Sequence, residues 1–159
     1  MGVVGAGKTT VGTLLAQKLG WQFADADDFH SPENIEKIRR GIPLDDSDRA
    51  PWLSALRNAI LQWNAGGRNV VLACSALKRS YREELRAALV RFVHLKGNFQ
   101  LILDRLRSRH GHFANEAILE SQLAALEEPG NDEPGVITVD IDQPPDAMVS
   151  EIIAKLQEP

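Results

Sequence analysis

The first nine residues contain the feature that most constrains this chain. Residues 2–9 read Gly-Val-Val-Gly-Ala-Gly-Lys-Thr, which matches the pattern G-x-x-x-x-G-K-T of a P-loop. The glycines allow backbone conformations in which successive N–H groups point inward around a phosphate. Lys8 adds a positive charge, the Thr9 hydroxyl is placed to bind Mg²⁺, and a helix starting at Lys8 directs its positive end at the phosphates. The motif predicts catalysis by Lys8 and a nucleotide site formed by Gly2, Gly5, Ala6, Gly7, Lys8, Thr9 and Thr10.

Two other interpretations of this segment are weaker. A flexible glycine loop ahead of a helix would require that the complete pattern arose by chance. A dinucleotide-binding fingerprint needs a third glycine, and Thr10 stands at that position. Phosphate binding by a P-loop is therefore the favoured interpretation.

The composition fits one domain over residues 1–159. A chain of this length with 43% hydrophobic and 25% charged residues forms a sufficient core by itself. Its net charge of -4 gives no general attraction to nucleic acid or to an anionic membrane. Cys74 is the single cysteine, and no apolar run approaches the length of a membrane span. We expect a cytoplasmic domain without nucleic-acid or membrane partners.

Strand and helix patterns alternate along the chain. The nearly all-apolar run 69–74 is typical of a strand that is buried on both faces of a sheet. The predicted strands are 22–25, 69–74, 91–95 and 136–139. The predicted helices, two of them capped by Ser31 and Asp48, are 8–19, 32–40, 48–63, 79–89, 99–109, 116–128 and 146–157. This order predicts the α/β three-layer sandwich of P-loop NTPases, a parallel sheet with helices on both faces.

Acidic residues follow the first predicted strand, at the sheet edge where ligands of such folds bind. Alternation places Asp25 and Asp27 on the same side of the chain. Phosphate transfer to a hydroxyl needs one carboxylate for the hydrated metal and one that accepts or orients the hydroxyl proton. We assign Asp25, with Thr9, to the metal and Asp27 to catalysis. A solvated acidic turn that caps the next segment is the alternative.

Arg49 lies just inside the start of a predicted helix, where the helix dipole disfavours a cation. A bound carboxylate would explain this placement, because a guanidinium group can hold a carboxylate through two hydrogen bonds. An ion pair with one of the aspartates at 45, 46 and 48 is the alternative.

The segment after the strand 69–74 combines small residues with a cation. Residues such as Ser75 bring the backbone close to a ligand, and Lys78 adds positive charge, although Lys78 could equally be a surface residue. Cys74 is expected to be a buried apolar residue rather than a nucleophile, since no base stands beside it in the sequence.

A group of arginines ends the helix predicted near 99–109 and precedes a loop with two histidines. Cations at a helix C-terminus are favourable without any function. Arginine-bearing mobile loops also close over ATP in many phosphotransferases and exclude water. We expect a helical lid over about 105–120.

Taken together, these segments closely resemble the gluconate kinases, P-loop small-molecule kinases related to shikimate and nucleoside monophosphate kinases. The segments that look specific to gluconate kinases are 44–53, Leu-Asp-Asp-Ser-Asp-Arg-Ala-Pro-Trp-Leu, and 74–78, Cys-Ser-Ala-Leu-Lys. The similarity also covers the P-loop, residues 25–30, 34–37, 95–97, 111–113, 126–129 and 139–144. It implies an ATP-dependent gluconokinase that transfers the γ-phosphate to the 6-hydroxyl of D-gluconate, with ATP and Mg²⁺ as cofactors.

The resemblance also implies residue roles. Asp27 and Arg49 would hold gluconate, and the implied substrate set is completed by His30, Ser75, Lys78 and His112. Arginines of the lid, Arg105 and the catalytic Arg109, would approach ATP. Asp142 and Pro144 belong to a loop that would lie against adenine. Kinases of this group are often dimers, so a homodimer is expected.

The sequence alone leaves two alternative functions open. A related kinase with another acceptor, such as shikimate, is the nearest. A non-catalytic nucleotide switch is the second, although the chain has neither the N-K-x-D motif that reads guanine nor the L-S-G-G signature of transporter ATPases.

The P-loop of such folds follows a central strand of the sheet, whereas Met1 alone precedes Gly2 here. Without that strand, the neighbouring backbone groups would be unpaired, at a cost of roughly 1–3 kcal/mol for each buried group. We therefore expect the natural protein to begin several residues upstream with an apolar strand.

Overall fold

A computed structural model describes residues 1–87, 89–108, 115–130 and 132–157. The predicted alternation of helices and strands is confirmed. In chain order the elements are α1 (Lys8–Leu19), β1 (Gln22–Asp25), a 3-10 turn (Ala26–Phe29), α2 (Pro32–Arg39), α3 (Asp46–Ala65), β2 (Val70–Ala73), α4 (Arg79–Leu85), β3 (Phe92–Lys96), α5 (Phe99–Ser108), α6 (Asn115–Ala125), β4 (Val136–Asp140) and α7 (Pro145–Gln157).

The start of α3 differs from the prediction. Asp45, and not Asp48, is the N-cap: its side chain accepts a hydrogen bond from the Asp48 backbone N–H at 2.8 Å. The Asp48 carboxylate returns the interaction by accepting from the Asp45 N–H at 3.2 Å. This reciprocal capping box satisfies two backbone donors, which explains why the N-cap lies three residues earlier than predicted. Helix α4 is also shorter than predicted and ends at Leu85.

The strands form two parallel pairs. Residues 22–25 of β1 pair with 70–73 of β2, and residues 92–96 of β3 pair with 136–140 of β4. The prediction of parallel strands is therefore confirmed, and the described strands form two two-stranded sheets. A cavity of about 330 Å³ has residues of both β2 and β3 in its wall. The expectation of an upstream strand remains a prediction.

Helices cover both faces of the strand pairs. Consecutive strand residues point to opposite faces, and Val71 and Leu72 of β2 indeed pack into different hydrophobic clusters. Helices α1, α5, α6 and α7 contribute to the cluster that includes Val71, whereas α3 and α4 contribute to the cluster that includes Leu72. This is the three-layer order predicted from the sequence.

Within the described ranges, we found no helix with the length and apolar character needed to span a bilayer.

Candidate active site

The P-loop precedes α1 and depends on its glycines for shape. Gly7 is the N-cap of α1 and has a φ of 92°, in the left-handed region that favours glycine. Gly5 has a φ of 78°, and a Cβ atom there would lie 2.8 Å from Cγ of Leu106 in α5. A side chain at residue 5 would therefore displace α5 from the loop.

A cavity of about 260 Å³ lies against this loop. Its wall is formed by four segments: P-loop residues from Val4 to Thr10, the end of β1 at Asp25 and Asp27, residues 73–75 after β2, and Gln122 of α6. The structure thus brings together most of the predicted phosphate and catalytic residues. Gly2 and Ala6 are buried and are not part of this wall.

Lys8 is half-buried in the cavity wall. Its Nζ donates a hydrogen bond to the backbone carbonyl of Val3 at 3.0 Å, so the side chain folds back along the loop. This places the ammonium group beside the loop whose N–H groups would surround a phosphate.

Thr9 and Asp25 are neighbours in the structure. The Thr9 hydroxyl donates to Oδ2 of Asp25 at 3.4 Å, while Oδ1 of Asp25 accepts from the backbone N–H of Asp27 at 3.1 Å. Within the described part of the chain, no group of three or more His, Cys, Asp or Glu side chains could hold a metal. A hydroxyl and a carboxylate nevertheless fit Mg²⁺, because this ion keeps several waters and takes other ligands from substrate phosphates.

The carboxyl group of Asp27 has an altered proton affinity. Partial loss of solvent and the nearby charge of Asp25 raise its pKa, and the positive charges of His30 and Lys8 oppose the increase. The Asp27 side chain lines the cavity with Thr9, whereas the capping contact with the 3-10 turn belongs to Asp25. Asp27 is thus available as a proton acceptor, and the turn-capping alternative applies to Asp25.

His30 packs face to face on Trp52 of α3, with ring centroids 4.7 Å apart. Trp52 is held by a hydrogen bond from its indole N–H to the Ala26 carbonyl at 2.7 Å. Burial lowers the pKa of His30, and its buried Nδ1 has no hydrogen-bond partner among the described residues. His30 therefore retains an unused polar atom.

The alternative ion pair of Arg49 with Asp45, Asp46 or Asp48 is not formed among the described residues. Its Nη1 lies 3.5 Å from the hydroxyl of Tyr81, and its guanidinium lies 6.0 Å from the centre of the Tyr81 ring. Lys78 instead forms an ion pair with Asp46, and its Nζ lies 2.8 Å from both carboxylate oxygens. Tyr81 also donates to Asp46. We call Arg49, Lys78 and Tyr81 the cationic group.

A buried ion pair stabilises the loop that contains Ser75 and Lys78. Arg82 of α4 is fully buried and pairs with the buried Glu133 through two hydrogen bonds. The same guanidinium donates to the carbonyls of Ala76 at 3.1 Å and Leu77 at 3.0 Å. Ala76 has a φ of 44°, which is unfavourable for a residue with a Cβ atom. Arg82 therefore supports a strained loop beside the cavity.

Arg105, predicted to approach ATP, and the loop predicted to lie against adenine are not part of the wall of the phosphate cavity. Arg105 donates to the carbonyl of Ile141 at 2.5 Å, so it meets the loop that contains Asp142 and Pro144. Both of these residues are exposed. Arg109 and His112 lie outside the described residues.

Sequence reasoning missed Tyr81, Arg82, Gln122 and Glu133. No motif marks them, because each acts through a partner that is distant along the chain. For example, 51 residues separate Arg82 from Glu133, and 118 separate Val4 from Gln122. Their roles become visible in the fold alone.

A P-loop, a hydroxyl–carboxylate pair suited to Mg²⁺ and a second carboxylate with a raised pKa share one cavity at the ends of parallel strands. This combination defines a nucleotide-dependent phosphotransferase site.

Comparison with known proteins specifies the family. A family model described as shikimate kinase matches residues 4–157. The gluconokinase of Gluconobacter oxydans (strain 621H) is 48% identical, over 99% of this chain and 89% of that protein. The thermoresistant gluconokinase of Escherichia coli (strain K12) is 42% identical, over 99% of this chain and 91% of that protein.

Comparison with solved structures agrees with the comparison of sequences. A gluconokinase from Sinorhizobium meliloti 1021 has a TM-score of 0.87 and 42% identity, covering 98% of this chain and 88% of that chain. Shikimate kinase from Aquifex aeolicus has a TM-score of 0.59 and 18% identity, covering 99% of this chain and 93% of that chain, which shows a shared fold alone. The chain belongs to the gluconokinase family.

Proposed function

We propose that this protein transfers the γ-phosphate of ATP to the 6-hydroxyl of D-gluconate. The observation that carries the substrate assignment is the identity with gluconokinases along nearly the whole chain. The site supports it, because a phosphate loop and a group able to bind a carboxylate occur in the same molecule.

ATP would bind with its phosphates against Gly5, Gly7 and Lys8 and the N-terminus of α1. Thr9 would contact Mg²⁺ directly and Asp25 through water, and the metal would neutralise charge on the phosphates when bound. The hydrogen bond between Thr9 and Asp25 supports this pairing. Arg105 and Arg109 would approach ATP from the lid, and Asp142 and Pro144 would lie against adenine.

Asp27 would accept or orient the proton of the attacking hydroxyl. Its place in the cavity wall next to Asp25 supports this role, and its raised pKa makes it a better proton acceptor than an ordinary aspartate. His30 and Ser75 would contribute to acceptor binding. The partnerless Nδ1 of His30 offers a hydrogen-bonding atom for a sugar hydroxyl.

The cationic group would bind the carboxylate of gluconate. In the described structure, Lys78 and Tyr81 already hold a carboxylate, that of Asp46. Arg49 is not engaged by any described acidic side chain at ion-pair distance and is therefore available for a second charged contact. His112 would assist from the lid. A cytoplasmic homodimer is also proposed, on the resemblance to gluconate kinases alone.

A coupled assay of ADP release tests this function. We expect turnover with Mg²⁺ and D-gluconate together, and almost none after chelation of Mg²⁺ or without acceptor. Turnover with another acceptor but not with gluconate would reject the substrate assignment. ATP binding without turnover on any acceptor would favour the nucleotide-switch alternative.

Shikimate is the second acceptor to test, because the matching family model bears the shikimate kinase description. We expect gluconate to exceed shikimate in kcat/KM, since the structurally similar shikimate kinases share just 18–20% identity with this chain.

A further inference from the structure

Gln122 of α6 contacts the P-loop directly. Its side-chain Oε1 accepts a hydrogen bond from the backbone N–H of Val4 at 2.7 Å. A backbone N–H can only donate, so this contact fixes the oxygen of the amide on the Val4 side. The amide nitrogen must then point away from Val4.

The other side of Gln122 faces the phosphate cavity. Gln122 lines that cavity with Lys8, Thr9 and the carboxylates of Asp25 and Asp27. The side chain is half-buried, and no described residue accepts a hydrogen bond from its amide nitrogen. Two N–H donors are therefore left for a ligand in the cavity.

The charge of the wall indicates which ligand these donors fit. Among the described residues of the wall, Lys8 is the one cation, and Asp25 and Asp27 are acidic. A γ-phosphate near these carboxylates gains from every additional donor, since charge builds on its oxygens during transfer. A neutral amide supplies such donors without disturbing the metal-binding carboxylate.

We propose that Gln122 binds the γ-phosphate of the nucleotide, with its amide N–H groups as donors and its carbonyl oxygen anchored on Val4. The inference rests on the proposed kinase function for its meaning in catalysis but not for its test. Because Gln122 belongs to α6, the contact also couples the position of this helix to the presence of the third phosphate.

The decisive variant is Gln122→Glu. A glutamate retains an oxygen for the Val4 N–H, so it preserves the anchor, but it replaces the donors with a negatively charged acceptor. The binding of ADP and of the non-hydrolysable analogue AMPPNP is measured by calorimetry with Mg²⁺ present. We expect the Kd of AMPPNP to rise at least about tenfold, as loss of a hydrogen bond to a charged group does, while the Kd of ADP changes less than about threefold.

A matched control and a second variant complete the test. Gln17→Glu makes the same chemical change at an exposed position of α1 and should alter neither affinity. Gln122→Met, which keeps the length but removes the amide, should also weaken AMPPNP more than ADP. Equal weakening of both nucleotides would show that Gln122 only holds Val4, and unchanged binding of both would exclude it from the site; either result overturns the proposal. None of these readouts uses an acceptor, so a failure of the gluconate assignment is recognised separately in the ADP-release assay.

Discussion

The buried ion pair between Arg82 and Glu133 gives a quantitative prediction about stability. Glu133→Gln keeps the size of the side chain but leaves the charge of Arg82 buried without its counter-charge. The residues are 0% and 8% exposed, so water cannot replace the lost carboxylate. Removing one partner of such a pair costs about 3–5 kcal/mol of unfolding free energy. For a domain of this size, that loss corresponds to a decrease in Tm of roughly 6–20 °C.

Asp132, the residue before Glu133, offers a matched control. Asp132 pairs with Arg79 at the surface, where the two side chains are 67% and 44% exposed. Asp132→Asn makes the same kind of change one residue away and should leave Tm almost unaltered, because solvent screens exposed pairs. Circular dichroism follows the unfolding of both variants: urea unfolding gives the unfolding free energy, and thermal unfolding gives the Tm. Similar small losses in the two variants would refute the argument from burial.

The destabilisation caused by Glu133→Gln should also depend on pH. The hydrogen bonds from Arg82 lower the pKa of Glu133 below its ordinary value of 4.5. A lowered pKa in the folded state means that the carboxylate stabilises the protein above this ordinary value, and that the contribution is lost as the pH falls through the lowered one. The stability difference between the wild type and Glu133→Gln should therefore shrink in acid. A difference that stays constant down to pH values below the folded pKa would contradict the linkage.

Three further predictions concern activity. Asp27→Asn should lower kcat by roughly 10²–10⁴ with ATP affinity nearly unchanged, because the proposed proton acceptor is lost. An unaltered kcat would return Asp27 to a purely structural role. Arg49→Ala should raise the KM for gluconate by roughly 10- to 100-fold, because a charged hydrogen bond to the substrate is lost. Arg57→Ala on the same helix should leave this KM unchanged, and equal effects of the two variants would point to damage of α3. Asp46→Asn should lower the KM for gluconate by roughly two- to fivefold, because an intramolecular carboxylate no longer competes for Lys78; a higher KM would mean that Asp46 orients Lys78 for the substrate.

The sequence alone determined the chemistry of the phosphate site and most of the secondary structure. Residues 2–9 specify a phosphate loop because glycine backbone freedom, a lysine and a threonine act locally within eight residues. The proximity of Thr9 and Asp25 was also predictable, since the P-loop and the end of β1 meet at the same edge of a parallel sheet. Local caps set helix boundaries, although the choice of Asp45 over Asp48 required the side-chain geometry of the capping box.

Tertiary structure decided the interactions that join distant parts of the chain. Arg49 faces Tyr81 rather than an aspartate, Arg82 pairs with Glu133, and Gln122 reaches the P-loop. A polar side chain on a helix has the same local pattern whether it faces solvent, a buried partner or a ligand. The packing of α4 against α3 and of α6 against α5 selects among these possibilities, because burial makes an unpaired charge or donor costly.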